Sequence, residues 1–441
     1  MSVMNVVKEK TRKMRETGAL HVVIGTFSTK FVAFFGSIVI VRCLSKADFG
    51  MLSYVENIYS YAFVFAGLGL MNGLLRYLVL AEEPGEKKSI FKFIVSRSMI
   101  VDIIIGILLC IGMQIFPIQE KYADAKYLIF VIALLLPFQD LLTEVLYALR
   151  AFFRNKLYAY LAFGTSALLI GGRLAGALLG GVVGVLWSRV ILNAIFSLSI
   201  LCLVTRILFE KRAAQPLPRK QQKTITVYSV QYMITNGFWA LFMLNDVFLI
   251  GNLLNDPEGL ADFKAAIMIP GNVSIFATAI GVFVAPYFTK NEKNLAWVRR
   301  NFAKVYKISA VVVGIVTLGL IATADFLIHL IYGNKYDNIV PLMWVLLIAA
   351  FINNGLRFTT ANLLAAMGKI RANMIVSGCG MVLQVILDII VIPIYGVMGV
   401  AVCSCIEYML MAIALFVYFY KQYYKKNKEE KASAGKSEGD A

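Results

Sequence analysis

Charge is scarce in this chain. Asp, Glu, Lys and Arg make up 16% of its 441 residues, against roughly 25% in soluble domains, and no stretch between its apolar runs is long enough for a soluble domain of ordinary size. Histidine is scarcer, with only His21 and His329, and neither lies near the nucleophile and acid that a catalytic triad needs. No phosphate-binding glycine loop ending in Gly-Lys-Ser/Thr occurs, so the chain has no ATP-hydrolysing site of its own. The six cysteines lack the spacing of a zinc site or a disulfide framework. Cys110, Cys202, Cys379, Cys403 and Cys405 lie inside or at the ends of apolar runs and Cys43 just past one, where packing accounts for them. No enzyme, cofactor or metal is expected.

Apolar residues are abundant instead. They form 59% of the chain, in runs of about 20, each enough to cross a hydrocarbon layer of roughly 30 Å as a helix. Twelve spans are predicted: 18–42, 52–80, 91–116, 127–150, 157–180, 184–208, 227–253, 263–288, 301–323, 338–361, 372–393 and 396–420. Backbone in lipid must satisfy its own hydrogen bonds, so all are helices. The first run, Gly18 to Val41, is longer than a secretory h-region and lacks a small-x-small cleavage site, and is read as a retained helix.

The net charge of +17 does not point to nucleic acid, because Lys and Arg flank the apolar segments. They fill the segment before the first span (Lys8 to Arg15) and the connection after every second one: Lys87 and Lys88, then Arg150 to Lys156, Lys211 to Lys223, Lys290 to Arg300, Lys369 and Arg371, and Lys421 onward. The intervening connections are short or acidic, such as Asn255 to Asp262. The positive-inside rule then places both termini in the cytoplasm. The tail from Lys425 to Ala441 is charged and lacks aromatics, a composition that favours disorder.

The longest basic connection, 209–226, carries Pro216 and Pro218 and separates six spans from six. The expected organisation is a cytoplasmic basic N-terminus (1–17), an N-lobe (18–208), a linker (209–226), a C-lobe (227–420) and a disordered tail (421–441). The halves resemble each other. Leu149-Arg150-Ala151 and Arg154, then Gly181-Val182-Val183-Gly184-Val185, recur about 215 residues later as Leu363-Leu364-Ala365 and Gly368-Lys369, then Gly396-Val397-Met398-Gly399-Val400. Tight-turn chemistry alone is another reading of the paired glycines. If the repeat is real, an even number of spans per half gives both the same orientation, related by a pseudo-twofold axis along the membrane normal.

Ionisable residues inside spans are by default paired, cavity-facing or functional. Lys30 lies mid-way along the first span, on a stripe with Thr26 and Ser37. Arg173 and Arg189 flank the turn at Gly180–Gly184 at comparable depth. Two guanidiniums there repel, so either carboxylates such as Glu56 or Asp246, or a bound anion, must lie between them. At the repeat offset Arg173 corresponds to Asp388, and the second half adds Asp246 and Glu407. These three acids are candidates for ion coupling, with helix-packing pairs as the other account. Arg357, on a stripe with Asn353 and Thr360, and Arg76 either form a cytoplasmic entrance or snorkel to water. Asp102, Asp140 and Glu144 are read as partners of Lys30 or the arginines.

Val41-Arg42-Cys43-Leu44-Ser45-Lys46-Ala47-Asp48-Phe49-Gly50-Met51-Leu52 resembles the Arg-x-Leu-Ser-x-x-Asp-Phe-Gly-x-Leu stretch of the O-antigen-type polysaccharide biosynthesis flippases. Asp246-Val-Phe-Leu-Ile-Gly251 and Ile331-Tyr332-Gly333-Asn334-Lys335-Tyr336 are looser similarities, and the whole extends from about 15 to 420. The resemblance implies the fold of the multidrug/oligosaccharidyl-lipid/polysaccharide exporter superfamily, in a bacterial cytoplasmic membrane, with two lobes around a cavity open to one side at a time. It also implies an activity: moving a polyprenyl-diphosphate-linked oligosaccharide to the outer leaflet, with polymerase or assembly proteins as partners and a monovalent cation or proton for coupling. A cationic cavity suits the diphosphate. That role carries over to Lys30, Arg173 and Arg189, and secondarily to Arg42, Lys264 and Arg357. Two alternatives stand beside it: a cation-coupled exporter of drugs or metabolites on the same fold, and a non-transporting scaffold of an envelope-synthesis complex.

Overall fold

The structure, a computed structural model, describes residues 19–116, 118–209 and 213–425, apart from the side chains of 19–27, 30, 235, 236, 282, 286, 370 and 425. The basic segment 1–17, the tail beyond 425 and the side chain of Lys30 therefore lie outside the described residues. Within them the secondary structure is helical, with no strand.

Helix α1 is Ala19–Cys43, and α2 runs in two pieces, Lys46–Val64 and Leu70–Leu80. α3 is Pro84–Ile115 and α4 is Ala125–Ala151. The 55-residue stretch Asn155–Phe209 would measure about 80 Å as one straight helix, far more than a bilayer core. It is two helices, α5 (155–179) and α6 (182–209), joined where Gly180 and Gly181 leave helical geometry. α7 is Arg219–Leu253, α8 is Pro257–Lys290 and α9 is Leu295–Ala322. A short helix, Ala324–Tyr332, and the turn Gly333–Ile339 lead into α10 (340–366). Ile370–Tyr420 is again two helices, α11 (370–395) and α12 (397–420), broken at Gly396.

Twelve long helices result among the described residues, in the order of the apolar runs. Several begin earlier than expected: α2 at Lys46, α8 at Pro257 and α9 at Leu295. Their first turns carry charge and caps and belong to the interface, so a search for apolar residues starts too late. Ser45 caps α2, its hydroxyl accepting from the Asp48 N–H at 3.0 Å and donating to the Asp48 carboxylate at 2.7 Å. Part of the Leu-Ser-x-x-Asp motif is thus a helix-start device. Asp256, followed by Pro257, starts α8 in the same way.

The repeat suspected in the sequence has a local structural counterpart. α4 and α10 end in the same motif, with the Arg154 N–H donating to the Leu149 carbonyl at 2.8 Å and the Lys369 N–H to the Leu364 carbonyl at 2.8 Å. Phe153 and Gly368 occupy its left-handed position, at φ 56° and 73°. Gly181 (φ 56°, ψ −137°) and Gly396 (φ 57°, ψ −146°) share one conformation as well. A Cβ on Gly181 would touch nothing, and one on Gly396 only Leu254 at 3.9 Å, so backbone geometry and not space demands glycine there. Gly184 differs: a Cβ on it would collide with the Gly176 backbone, so it lets α6 lie against α5.

Contacts divide the chain into two compact units, Met1–Leu244 and Asn245–Ala441. The division falls inside α7, beyond the connection 209–226 that the sequence singles out, because the start of α7 packs on α2. Ile225 joins a core with Leu70, Leu74, Ile94, Val145 and Val204, and the Ser229 hydroxyl sits where a Gly73 side chain would be. The second unit has an aromatic core in which Phe302 stacks on Phe419 at 3.7 Å.

Outward faces are apolar. Along α3, Ile100, Ile103, Ile104, Ile107, Leu108 and Ile111 are exposed at helical spacing, while Ile90, Ile94, Ser98, Asp102 and Gly106 face inward and are buried. An exposed apolar stripe opposite a polar buried one is the pattern of a helix solvated by lipid. The chain is a multi-pass membrane protein.

The two C-terminal motifs generate a test. Replacing Phe153 by Gly relieves a left-handed side chain and should stabilise by about 1 kcal/mol, and Gly368→Ala should destabilise by about as much. Thermal unfolding midpoints in detergent, moving in opposite directions, are the expected outcome.

Candidate functional site

Three clusters of polar side chains lie inside the helical units. The first belongs to unit one and is assembled by the α5–α6 hairpin. Arg173 and Arg189 stand at equal sequence distances from Gly181, and the close approach at Gly176 and Gly184 brings them to the same side of the hairpin. Both donate to one oxygen, Glu56 Oε1 on α2: Arg173 Nη2 at 2.7 Å and Arg189 Nη1 at 2.9 Å. Arg189 also donates from Nη2 to Gln139 Oε1 on α4 at 2.9 Å, and its guanidinium lies over the Tyr59 ring at 5.4 Å.

Of the two ways to reconcile these arginines, the structure supplies a carboxylate, and it is Glu56. One carboxylate against two guanidiniums leaves one net positive charge on the trio. Arg173 Nε is buried without a hydrogen-bond partner. The side chains remain 18–30% exposed, so the surplus charge is within reach of a small anion.

The second cluster, also in unit one, surrounds the break in α2. Gly67, Leu68 and Gly69 are all left-handed, at φ 52°, 50° and 70°, which interrupts the helix and frees backbone groups. The Gly67 N–H donates to Asp102 Oδ1 of α3 at 2.7 Å, and Asp140 Oδ2 of α4 sits where a Gly67 side chain would be. One turn on, Glu144 Oε1 accepts from the Ser98 hydroxyl at 2.6 Å. The sequence suggested Lys30 or the arginines as partners for these three acids; the Lys30 side chain lies outside the described residues, and Arg173 and Arg189 turn to Glu56 instead. Asp140 also lines a cavity of about 210 Å³ with Phe63, Asn72, Thr143 and Tyr232.

The third cluster is in unit two and gathers residues that the sequence could only name one by one. Gln384 of α11 donates from Nε2 to Asp246 Oδ1 of α7 and accepts from Asn245 Nδ2 at 3.3 Å. Asp388, one turn further on α11, lies within electrostatic reach of the Asp246 carboxyl. Glu407 of α12 lies within electrostatic reach of both. Asp388 and Glu407 are each 1% exposed, and both Asp388 oxygens and Glu407 Oε1 lack a hydrogen-bond donor. Lys264 of α8 acts electrostatically on Asp246. Among the described residues, no group of three His, Cys, Asp or Glu side chains is arranged to hold a metal ion.

The other cationic candidates are dispersed. Arg42 is exposed in the last turn of α1. Arg357 does not snorkel: it is 5% exposed, in a π-helical segment of α10, Ile352–Arg357, and donates from Nε to Asn353 Oδ1 at 2.6 Å. The structure therefore brings together Arg173 with Arg189, and Asp246 with Asp388 and Glu407. Sequence reasoning did not find Gln139 and Tyr59, which carry no signal beyond being polar or aromatic on another helix. It also passed over the Gly-x-Gly of the α2 break, whose two glycines inside an apolar run were a visible sign.

A family model described as "Polysaccharide biosynthesis protein" matches residues 39–341. Among solved structures, the fold is similar to that of the lipid II flippase MurJ in an inward closed conformation, with a TM-score of 0.70 at 15% identity, covering 90% of this chain and 87% of that one. An inward-facing multidrug resistance MATE family transporter of the MOP superfamily gives 0.66 at 15% identity, covering 91% and 96%. A MOP superfamily transporter from Pyrococcus furiosus gives 0.54 at 16%, covering 92% and 94%. No curated protein sequence matches. At these identities the likeness is one of fold.

Glu56 is the keystone of the first cluster. Glu56→Ala leaves two guanidiniums facing each other and should destabilise by about 2–3 kcal/mol, toward the low end for a partly exposed pair. Adding Arg173→Ala should restore part of the loss, and a double-mutant cycle on thermal unfolding measures the coupling.

Proposed function

The chain belongs to the family of polysaccharide biosynthesis proteins, and from that premise we propose that it is a flippase for a polyprenyl-diphosphate-linked oligosaccharide. It would work by alternating access in the cytoplasmic membrane, with both termini in the cytoplasm, and would make or break no covalent bond. A diphosphate and a glycan cannot enter hydrocarbon unaided, so such a protein must offer the passenger fixed cations inside the membrane.

The observation that supports this reading is the pair Arg173 and Arg189 sharing a single carboxylate oxygen. Bidentate guanidinium geometry suits phosphate oxygens. A diphosphate arriving at the trio would take up the surplus charge and supply an acceptor for Arg173 Nε. Lys30, Arg42, Lys264 and Arg357 are assigned to the same passenger as further cations along its route. Asp246, Asp388 and Glu407 are assigned to ion coupling, since the buried Asp388 and Glu407 carboxyls, with oxygens that no donor reaches, suit a proton or a monovalent cation.

That acid cluster also favours a second reading, a cation-coupled exporter of small organic molecules. The two readings separate in proteoliposomes loaded with labelled polyprenyl-diphosphate-oligosaccharide, with and without a sodium or proton gradient. Transfer is expected with the wild type, is abolished by Arg173→Ala and by Lys30→Ala at unchanged protein levels, and becomes insensitive to the gradient in Asp388→Asn. Normal transfer in both cation variants overturns the flippase reading. Gradient-driven movement of an organic cation without the lipid-linked glycan establishes the second.

A further inference from the structure

A groove of about 640 Å³ runs between the first turns of α3 and the last turns of α6, away from the three clusters. This lies within the range of roughly 300–1,000 Å³ typical of ligand pockets. The two helices meet at Phe91 and Phe209, whose rings are 5.2 Å apart, and Lys88 Nζ donates to the Phe209 carbonyl at 3.2 Å. Beyond that contact they part. The groove has two zones. Lys88 and Lys92, one turn apart on α3, and Arg206 on α6 line one end, while Val95, Met99 and Leu201 line the other.

No acidic residue lines this groove among the described residues. Glu83 and Glu86, which precede Lys88 on the α3 side, are engaged by Gln215 and Gln221 of the connection after α6 at 2.5 Å each. Lys92 and Arg206 are exposed. Helix α3 begins and α6 ends on the side of the basic connections, the cytoplasmic face by the positive-inside rule. The basic end therefore lies at headgroup level and the apolar end inside the acyl region. A cationic rim above an apolar slot, between two helices at one interface, matches a molecule with a phosphate at one end and hydrocarbon at the other.

We propose that this groove binds an anionic phospholipid of the surrounding leaflet, with the headgroup phosphate on Lys88, Lys92 and Arg206 and an acyl chain along Met99 and Leu201. The lipid fills the space where α3 and α6 part and ties the two helix ends to the membrane surface. It is a resident lipid of the first unit, separate from the passenger assigned to Arg173 and Arg189.

The test uses the full-length chain with equimolar phosphatidylglycerol and phosphatidylcholine, reading retained adducts by native mass spectrometry. Phosphatidylglycerol is expected to be retained about tenfold over phosphatidylcholine, and the double variant Lys92→Gln/Arg206→Gln to fall to near parity. Both side chains are exposed, so unfolding temperatures in pure phosphatidylcholine nanodiscs should not change. Cys202→Trp, which fills the groove without altering charge, should also remove the adduct. Equal retention of both lipids by the wild type, or undiminished preference in either variant, overturns the proposal. So does full displacement by excess inorganic phosphate, which marks a headgroup-only anion site, or by polyprenyl phosphate at equal mole fraction, which assigns the groove to the passenger.

Discussion

Glu56 Oε1 accepts from two arginines at once, and the interior of the first unit is organised around that sharing. A guanidinium deep in a helical bundle is tolerated only with a partner, and a second one beside it repels the first. One carboxylate answers both requirements and, with Gln139 on α4, fastens four helices, α2, α4, α5 and α6, at one point. Because the sharing is unequal, a positive charge is left over. A fully neutralised site would offer an anion nothing, and an unpaired arginine pair would not be stable there.

The counterpart of Arg173 in the second unit has the opposite sign. At the position one repeat length from Arg173 stands Asp388, which lies in the field of Asp246 and Glu407. The two halves share the turn geometry of Gly181 and Gly396 and the same helix-end motif, while the interior position one repeat length apart is Arg173 in one and Asp388 in the other. Structural turns have little freedom to change, because φ near +57° is open to glycine and to few others; interior side chains have more.

Irregular backbone at membrane depth is confined to places where protein satisfies it. The left-handed triplet in α2 would leave the Gly67 N–H without a partner, and Asp102 takes it. The π-helical segment of α10 positions Arg357 against Asn353, and such segments recur where helices carry function. Both interruptions lie next to buried ionisable groups, which links departures from regular helix to the polar interior they serve.

Twelve spans, the basic alternation of the connections and the 215-residue repeat motif were legible in the chain itself, because hydrocarbon imposes length and polarity on every crossing segment and turn geometry imposes glycine. Arg173, Arg189, Asp246, Asp388 and Glu407 could also be singled out, since charge inside an apolar run stands out by its cost. Only the tertiary structure decided who partners whom. Glu56 and not Asp246 lies between the arginines, Asp102 accepts from the Gly67 backbone, and Arg357 is buried where a snorkelling side chain was one expectation. A sequence records the sign and depth of each charge, but pairing depends on how helices are rotated and how closely they approach, and a single glycine contact such as Gly176 against Gly184 sets that only once the helices have packed.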